Sequence, residues 1–251
     1  MAIAARPSPS PRRRDEDENE KLYPSSDGKP MAETDLHRSE MAQAIEALTL
    51  YYAHRPDVYV SGNNFIYYEE GNPKARISPD CYVVFGVEMR PRNSFMTWRE
   101  GDRLPAVVFE FTSRSTRRED THTKRPLYES VLRIPEYFLF DPTGDYLRPR
   151  LQGFRLAEDG NYIVLQPVDG RVHSEQLNLD LVQEGQTLRL WDPARGEFLP
   201  TMAELAQRAE AEARRADALA QRVETETDAR RAAEEEIARL RAELEALRGQ
   251  R

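Results

Sequence analysis

Ala106-Val107-Val108-Phe109-Glu110-Phe111-Thr112-Ser113 is the stretch on which the fold turns. Its apolar residues run without alternation, as in a central strand covered on both faces. A carboxylate interrupts the run at Glu110. Burying an acid there is costly unless it is paired or bound to a metal. Upstream, Ser78-Pro79-Asp80 leads into a second apolar run, Cys81-Tyr82-Val83-Val84-Phe85. Downstream, Glu136-Tyr137-Phe138-Leu139-Phe140 is a third, closed by Asp141-Pro142, where Asp141 reads as a turn residue. Between the last two strands, residues 117–132 read as a helix, with Pro126 leaving its start or straightness open.

Working outward, Met41, Ile45, Leu48 and Tyr52 recur at helical spacing after Asp35, a residue suited to an N-cap. His37 lies one turn before Met41 on the same stripe, where a core or capping role outweighs a ligand role. Glu40 and Glu46 fall off that stripe, which argues against either as a ligand. Pro56 closes the helix. Val58-Tyr59-Val60 and Phe65-Ile66-Tyr67-Tyr68, separated by Ser61-Gly62-Asn63-Asn64, give a hairpin signal, with both tyrosines packing in the hairpin. Residues 151–191 contain weaker strands. The order helix, strand, strand, strand, helix, strand predicts an α/β fold, a mixed central sheet flanked by helices.

The flanks differ from this domain, assigned to residues 35–200. Residues 1–34 are rich in Pro, Ser, Arg and acidic residues, and the reading is a disordered tail. Arg12-Arg13-Arg14 followed by Asp15-Glu16-Asp17-Glu18 reads as solvated chain. Residues 201–251 turn to Ala, Glu, Arg and Leu without proline. With Met202 at position a, the a and d positions include Leu205, Ala209, Ala216, Leu219, Val223, Ala233, Ile237, Leu240, Leu244 and Leu247, interrupted by Glu212, Glu226 and Arg230. This predicts a C-terminal coiled-coil helix and a homo-oligomer.

Composition sets limits. The chain has 251 residues, 32% of them charged, so part of it should be solvated appendage. Its single cysteine, Cys81, excludes an internal disulfide and a cysteine-rich zinc site. No run of about 18 apolar residues exists to span a membrane, and the N-terminus lacks the order of a secretory signal. The expectation is a cytoplasmic protein. The net charge of -8 weighs against a generally basic nucleic-acid binder and requires any such contact to use a local basic patch and metal ions.

Two carboxylates, Asp80 and Glu110, flank or interrupt buried strands, and on neighbouring strands they could hold a hard divalent cation through oxygen. Asp120, Lys124 and Tyr128 follow at i, i+4 and i+8, one face of a helix, which would lie beside Glu110 if the helix packs back against its strand. Lys124 could then reach a scissile phosphate. Asp120 reads equally as a helix N-cap, and Tyr128 as packing. Arg114, Arg117, Arg118 and Arg125 read equally as phosphate contacts and as a solvated basic loop.

These features in this order resemble the Uma-two family of restriction-endonuclease-like proteins in the PD-(D/E)XK superfamily. The resemblance is carried by Pro79-Asp80 before its strand, Pro105 leading into Val107–Ser113 with Ser115-Thr116, then Asp120, Lys124 and Tyr128, and Pro135-Glu136-Tyr137 through Asp141-Pro142. It runs from about His37 to residue 192. It implies phosphodiester hydrolysis of nucleic acid, expected to be DNA, with Mg²⁺ (or Mn²⁺) held by Asp80, Glu110 and the backbone carbonyl of Phe111. The superfamily's lysine two residues after the second acid is absent, Thr112 taking its place. The resemblance assigns that role to Lys124. A catalytically inactive nuclease-fold scaffold, recruiting through its coiled coil, is the competing reading.

Overall fold

The computed structural model describes residues 22–26, 34–113 and 116–248, with side chains omitted at 243 and 245–248. The chain divides into two compact units, Met1–Pro200 and Thr201–Arg251.

In the first unit, helix α1 (Asp35–Tyr51) is followed by strands β1 (Val58–Ser61), β2 (Ile66–Tyr67), β3 (Arg76–Ile77), β4 (Cys81–Phe85), β5 (Phe95–Met96) and β6 (Val107–Phe111). A helical segment, α2 (117–131), then leads to β7 (Glu136–Phe140), β8 (Leu151–Leu156), β9 (Tyr162–Leu165), β10 (Arg171–Ser174), β11 (Leu179–Glu184), β12 (Thr187–Asp192) and β13 (Glu197–Phe198). The central sheet has the order β1-β4-β6-β7-β8-β9. Only the β6–β7 pair in it is parallel, as its α2 crossover demands; the rest are antiparallel, so the sheet is mixed. The architecture is α/β.

The pleat sorts the core. Val107, Phe109 and Phe111 share one cluster with Met41 and Leu48 of α1 and with Leu181, Leu188 and Leu190 of the antiparallel sheet β10–β13. Val108 shares the opposite cluster with Tyr82, Tyr137 and with Tyr128 and Leu132 of the α2 region. By the two-residue period, Asp80 and Glu110 belong to this second face.

The hairpin expected over residues 58–68 is not formed. β1 pairs with β4, whereas β2 joins a separate three-stranded sheet, β3-β2-β5, that buries Tyr67. Ser61-Gly62-Asn63-Asn64 instead passes tightly over the Ser78-Pro79-Asp80 turn. Asn63 N–H donates to the Pro79 carbonyl at 2.8 Å with φ 54°, and a Cβ on Gly62 would lie 2.0 Å from the Asp80 carbonyl. The glycine signals backbone approach, not a turn.

Three further readings are corrected. The α1 N-cap is Thr34, whose hydroxyl accepts from His37 N–H at 3.2 Å, one residue before Asp35. Glu40, placed off the apolar stripe, is nonetheless 5% exposed and accepts from Leu188 N–H at 2.9 Å, tying α1 to β12. Within the N-terminal segment expected to be a tail, Tyr23 is buried against Tyr67 and Trp98, and Tyr67 Oη donates to the Pro24 carbonyl at 2.6 Å. Two aromatic partners compensate the loss of freedom that composition alone makes prohibitive. Residues 1–21, including the Arg12–Glu18 charge run, and residues 27–33 lie outside the described residues.

The second unit is one helix, α3 (Met202–Arg248). A capping box starts it: Thr201 Oγ1 accepts from Glu204 N–H at 3.2 Å and Glu204 Oε2 accepts from Thr201 N–H at 2.8 Å. Leu219, Val223, Ile237, Leu240 and Leu244 stand about half exposed along it.

Candidate active site

Antiparallel pairing places the start of β4 beside the end of β6: Cys81 faces Phe109, so the next positions outward are Asp80 and Glu110. Asp80 Oδ2 accepts from Phe111 N–H at 2.7 Å, and Asp80 N–H points to Glu110 Oε2 at 3.4 Å. The acids at the ends of two strands are thus held through the backbone of each other's strand.

α2 supplies the rest. After one α-helical turn at Arg117–Glu119, it winds as π-helix over Asp120–Lys124 and again over Leu127–Val131. The wider winding still returns every fourth residue close to one face, and π-turns recur at functional sites. Lys124 Nζ donates to Glu110 Oε2 at 2.7 Å and lies 3.4 Å from Asp120 Oδ1. Tyr128 Oη donates to Glu110 Oε1 at 2.8 Å. From α1, His37 Nε2 lies 3.4 Å from Asp80 Oδ2. Five side chains from α1, the β4 turn, β6 and α2 therefore converge with Asp120.

Three carboxylates here, Glu110 and Asp120 buried and Asp80 nearly so, share one lysine. Burial pushes the Glu110 carboxyl well up; Lys124 opposes this, and the Asp80 and Asp120 charges reinforce it. Burial likewise raises Asp120 to about 6. Burial works against a charged Lys124, but Glu110, Asp80 and Asp120 outweigh it and hold the ammonium protonated. Burial would also raise Asp80, yet His37 and Lys124 outweigh it, so Asp80 lies below the usual range and ionises first. Neither Asp120 oxygen, buried in this pocket, has a hydrogen bond of normal geometry.

Such an excess of buried anionic oxygen suits a hard cation. Among the described residues no three His, Cys, Asp or Glu side chains make a complete metal shell. Asp80 and Glu110 are a two-carboxylate set of the kind that binds Mg²⁺ with water completing the octahedron. Lys124 and Tyr128 already occupy the two Glu110 oxygens, so a cation at Glu110 would have to displace the ammonium from Oε2.

A family model described as "Uma2: Putative restriction endonuclease" matches residues 13–190. The chain belongs to this family. It is therefore a nuclease-family protein, as the resemblance of its motifs implied. A crystal structure described as a putative nuclease belonging to DUF820, from Anabaena variabilis ATCC 29413, is similar with a TM-score of 0.40 and 14% identity, over 61% of this chain and 81% of that one. A search of curated proteins finds no match.

Within this family member, Asp80, Glu110 and Lys124 are brought together, and Phe111 joins them through its N–H. Tyr128, read from sequence as packing, both packs and bonds the central glutamate; its spacing of four from Lys124 was the available signal. Asp120 faces Lys124 and is not the N-cap of its helix, a position that Thr116 holds. Arg125 turns away, its guanidinium 4.1 Å over the Phe154 ring, and Arg117 lies 5.8 Å over Tyr146. Arg118 is exposed, and Arg114 falls outside the described residues. Asp141 is a turn organiser: its carboxylate accepts from Thr143, Gly144, Tyr146 and Leu147 N–H groups.

Proposed function

We propose that this chain is an endonuclease that hydrolyses phosphodiester bonds in DNA with Mg²⁺ or Mn²⁺, through Asp80, Glu110 and Lys124. The observation that carries the reading is the meeting of these three residues at one sheet end, with Lys124 Nζ 2.7 Å from Glu110. Asp80, Glu110 and the Phe111 carbonyl would hold the cation, which when bound lowers the pKa of water and neutralises charge on the phosphate.

The chain's own groups supply positioning and charge. Lys124, kept cationic by three carboxylates, is directed at the negative charge that grows on the phosphoryl oxygens as water attacks phosphorus. As the water oxygen bonds to phosphorus it gives up a proton to solvent, the P–O bond to the leaving sugar oxygen breaks, and that oxygen takes up a proton from solvent. Tyr128 fixes the Glu110 rotamer from one side while the Asp80 backbone approaches it from the other. His37, beside Asp80 Oδ2, holds that carboxylate in the orientation set by Phe111 N–H.

The same reading gives α3 a role: two copies associate through its heptad seam, in which Ile237, Leu240 and Leu244 stand about half exposed. The setting is cytoplasmic, consistent with the lone buried thiol of Cys81; no helix is long and apolar enough to cross a membrane among the described residues.

Calorimetric titration of Mn²⁺ into wild type, Asp80→Ala and Glu110→Ala tests the metal. Binding by wild type and its loss in both variants is expected; undiminished binding in the variants removes the mechanism. Sedimentation of the full chain against one ending at residue 200 tests the seam. A dimer and a monomer respectively are expected, and equal monomeric masses reject it.

A further inference from the structure

A cleft of about 530 Å³ opens beside Lys124. Its lining includes Asn64, Phe65, Arg76, Ser78, Glu119 and Lys124, so it runs from the candidate catalytic lysine and the turn before Asp80 to the small sheet β3-β2-β5. Its volume lies in the range of sites that hold one small ligand, room for a nucleotide unit and not for a duplex.

Two of its side chains are fixed as donors. The Arg76 guanidinium lies 4.4 Å over the Phe65 ring, and its Nη1 donates to Tyr67 Oη at 3.3 Å. Tyr67 is itself fully buried and donates to the Pro24 carbonyl, so Arg76 is anchored through the N-terminal segment that Tyr23 pins in place. No carboxylate lies within ion-pair distance of Arg76 among the described residues, whereas Arg92 is bound by Glu100 and Arg155 by Glu136. On the other side, Tyr82 Oη donates to Asn64 Oδ1 at 2.9 Å. That bond sets the amide orientation and leaves the NH₂ group to donate. Glu119 is the lining carboxylate, so the named residues carry two cations against one anion in a chain of net charge -8.

We propose that this cleft is a subsite for the phosphodiester backbone of a single nucleic-acid strand next to the scissile bond, with Arg76 and the Asn64 amide as its phosphate donors. The assignment rests on the nuclease reading above and gives that reading its substrate-holding surface. It relocates the phosphate contacts from the arginines after Glu110 to a pair on β3 and the β1–β2 connection. A pre-positioned guanidinium loses little freedom on engaging a phosphate, and its planar fork fits two phosphoryl oxygens. A cleft with room for one nucleotide unit and not for a duplex is suited to an unpaired strand.

Fluorescence anisotropy of a labelled oligonucleotide, single-stranded or annealed to its complement, tests this with the full chain and Ca²⁺ in place of Mg²⁺. Arg76→Gln is expected to weaken single-strand binding about tenfold, the scale of one charge-assisted hydrogen bond, and to flatten the salt dependence by about one phosphate. Asn64→Asp, which changes shape little and places a negative charge in the cleft, is expected to weaken it at least as much. Arg125→Gln, stacked on Phe154, is expected to bind as wild type does. Thermal melts by circular dichroism accompany each variant, and if Arg76→Gln fails to fold, Asn64→Asp decides. Unchanged affinity and salt slope in Asn64→Asp, or tighter binding of duplex than of single strand, overturns the subsite alone. Failure of wild type to bind either oligonucleotide overturns the subsite together with the nucleic-acid reading.

Discussion

Glu110 and Glu136 sit on adjacent parallel strands at opposite ends of the ladder, and both are 0% exposed. Their surroundings differ completely. Glu136 accepts from Arg155 Nε at 3.0 Å, Ser174 Oγ at 2.5 Å, and the N–H groups of Glu175 at 2.9 Å and Gln176 at 3.3 Å. It is a saturated carboxylate that fastens the β10–β11 connection to the central sheet. Glu110 has Lys124 and Tyr128 as close donors, and it shares the lysine with Asp80 and Asp120. A buried acid with enough donors is structure; one crowded by other acids around a single cation is a candidate functional group.

The sharpest way to break this contrast is to alter each side. Lys124→Ala is expected to lower the cleavage rate on the order of 100-fold or more, the scale for one positioned electrostatic group. Its effect on metal binding follows from the geometry: with the ammonium gone from Glu110 Oε2, Mn²⁺ should bind more tightly than to wild type. Calorimetry and a cleavage assay on the same preparation read both. Unchanged cleavage would remove Lys124 from the mechanism, and weaker Mn²⁺ binding would show that the ammonium does not compete with the cation.

Glu136→Ala should do the reverse. Cleavage per folded molecule should match wild type, while stability falls by about 3 kcal/mol from the stranded Arg155 and the unpaired Ser174, Glu175 and Gln176 donors. Arg155 is 23% exposed and keeps Glu175, which places the loss at the lower end for a broken buried pair. Denaturant melts check it. A loss of rate without a loss of stability would make the two glutamates alike.

The three apolar runs were legible as central strands because strands covered on both faces leave no other pattern; the nearness of Asp80 and Glu110 could be read from their places beside two of those runs, whereas the role given to Lys124 came from the family resemblance. The strand partners of β1 and β2 were not legible. Ser61-Gly62-Asn63-Asn64 has hairpin composition, and what sends it elsewhere is a backbone contact with Asp80, 18 residues beyond Gly62. The polar partners of Glu40 and Tyr128 were not legible for the same reason: periodicity says which way a side chain points but not what polar group waits there. The donor sets that separate Glu110 from Glu136 come from Ser174 and Lys124, each remote in sequence from its glutamate or hidden by helical winding.

Asp120 tests whether crowding costs stability. Its carboxyl titrates at about 6 against an ordinary 3.8, with burial as the main cause. A carboxylate raised in the folded state is disfavoured when ionised, so it destabilises the protein above about pH 6 and not below the unfolded value. In metal-free protein, Asp120→Asn is expected to be more stable than wild type by roughly 2 kcal/mol at pH 8. That gain should shrink as pH falls through 6 and vanish near 4. Urea melts across this range decide it; a gain independent of pH would trace to packing and not to charge.

The smallest expected effect isolates the donor that distinguishes Glu110 from a simple ion pair. Tyr128→Phe keeps the buried ring in its contact with Tyr137, 5.1 Å between centroids, and deletes only the hydroxyl on Glu110 Oε1. Loss of one hydrogen bond to a charged group predicts about 1–2 kcal/mol of stability if Glu110 is ionised in the metal-free protein. A protonated Glu110 would lose less, because a neutral acid is cheaper to leave unpaired at depth. Burial raises the Glu110 carboxyl and Lys124 pulls it down, so the penalty of Tyr128→Phe should grow as pH rises and the carboxyl ionises. Lys124→Met in the same background removes the opposing cation, keeps Glu110 protonated to higher pH, and should reduce the Tyr128→Phe penalty. A double-mutant cycle of urea melts at pH 6 and pH 8 measures this coupling. Strict additivity at both pH values would mean that the tyrosine and the lysine act on Glu110 independently; no penalty for Tyr128→Phe at either pH would mean that the tyrosine only fills space.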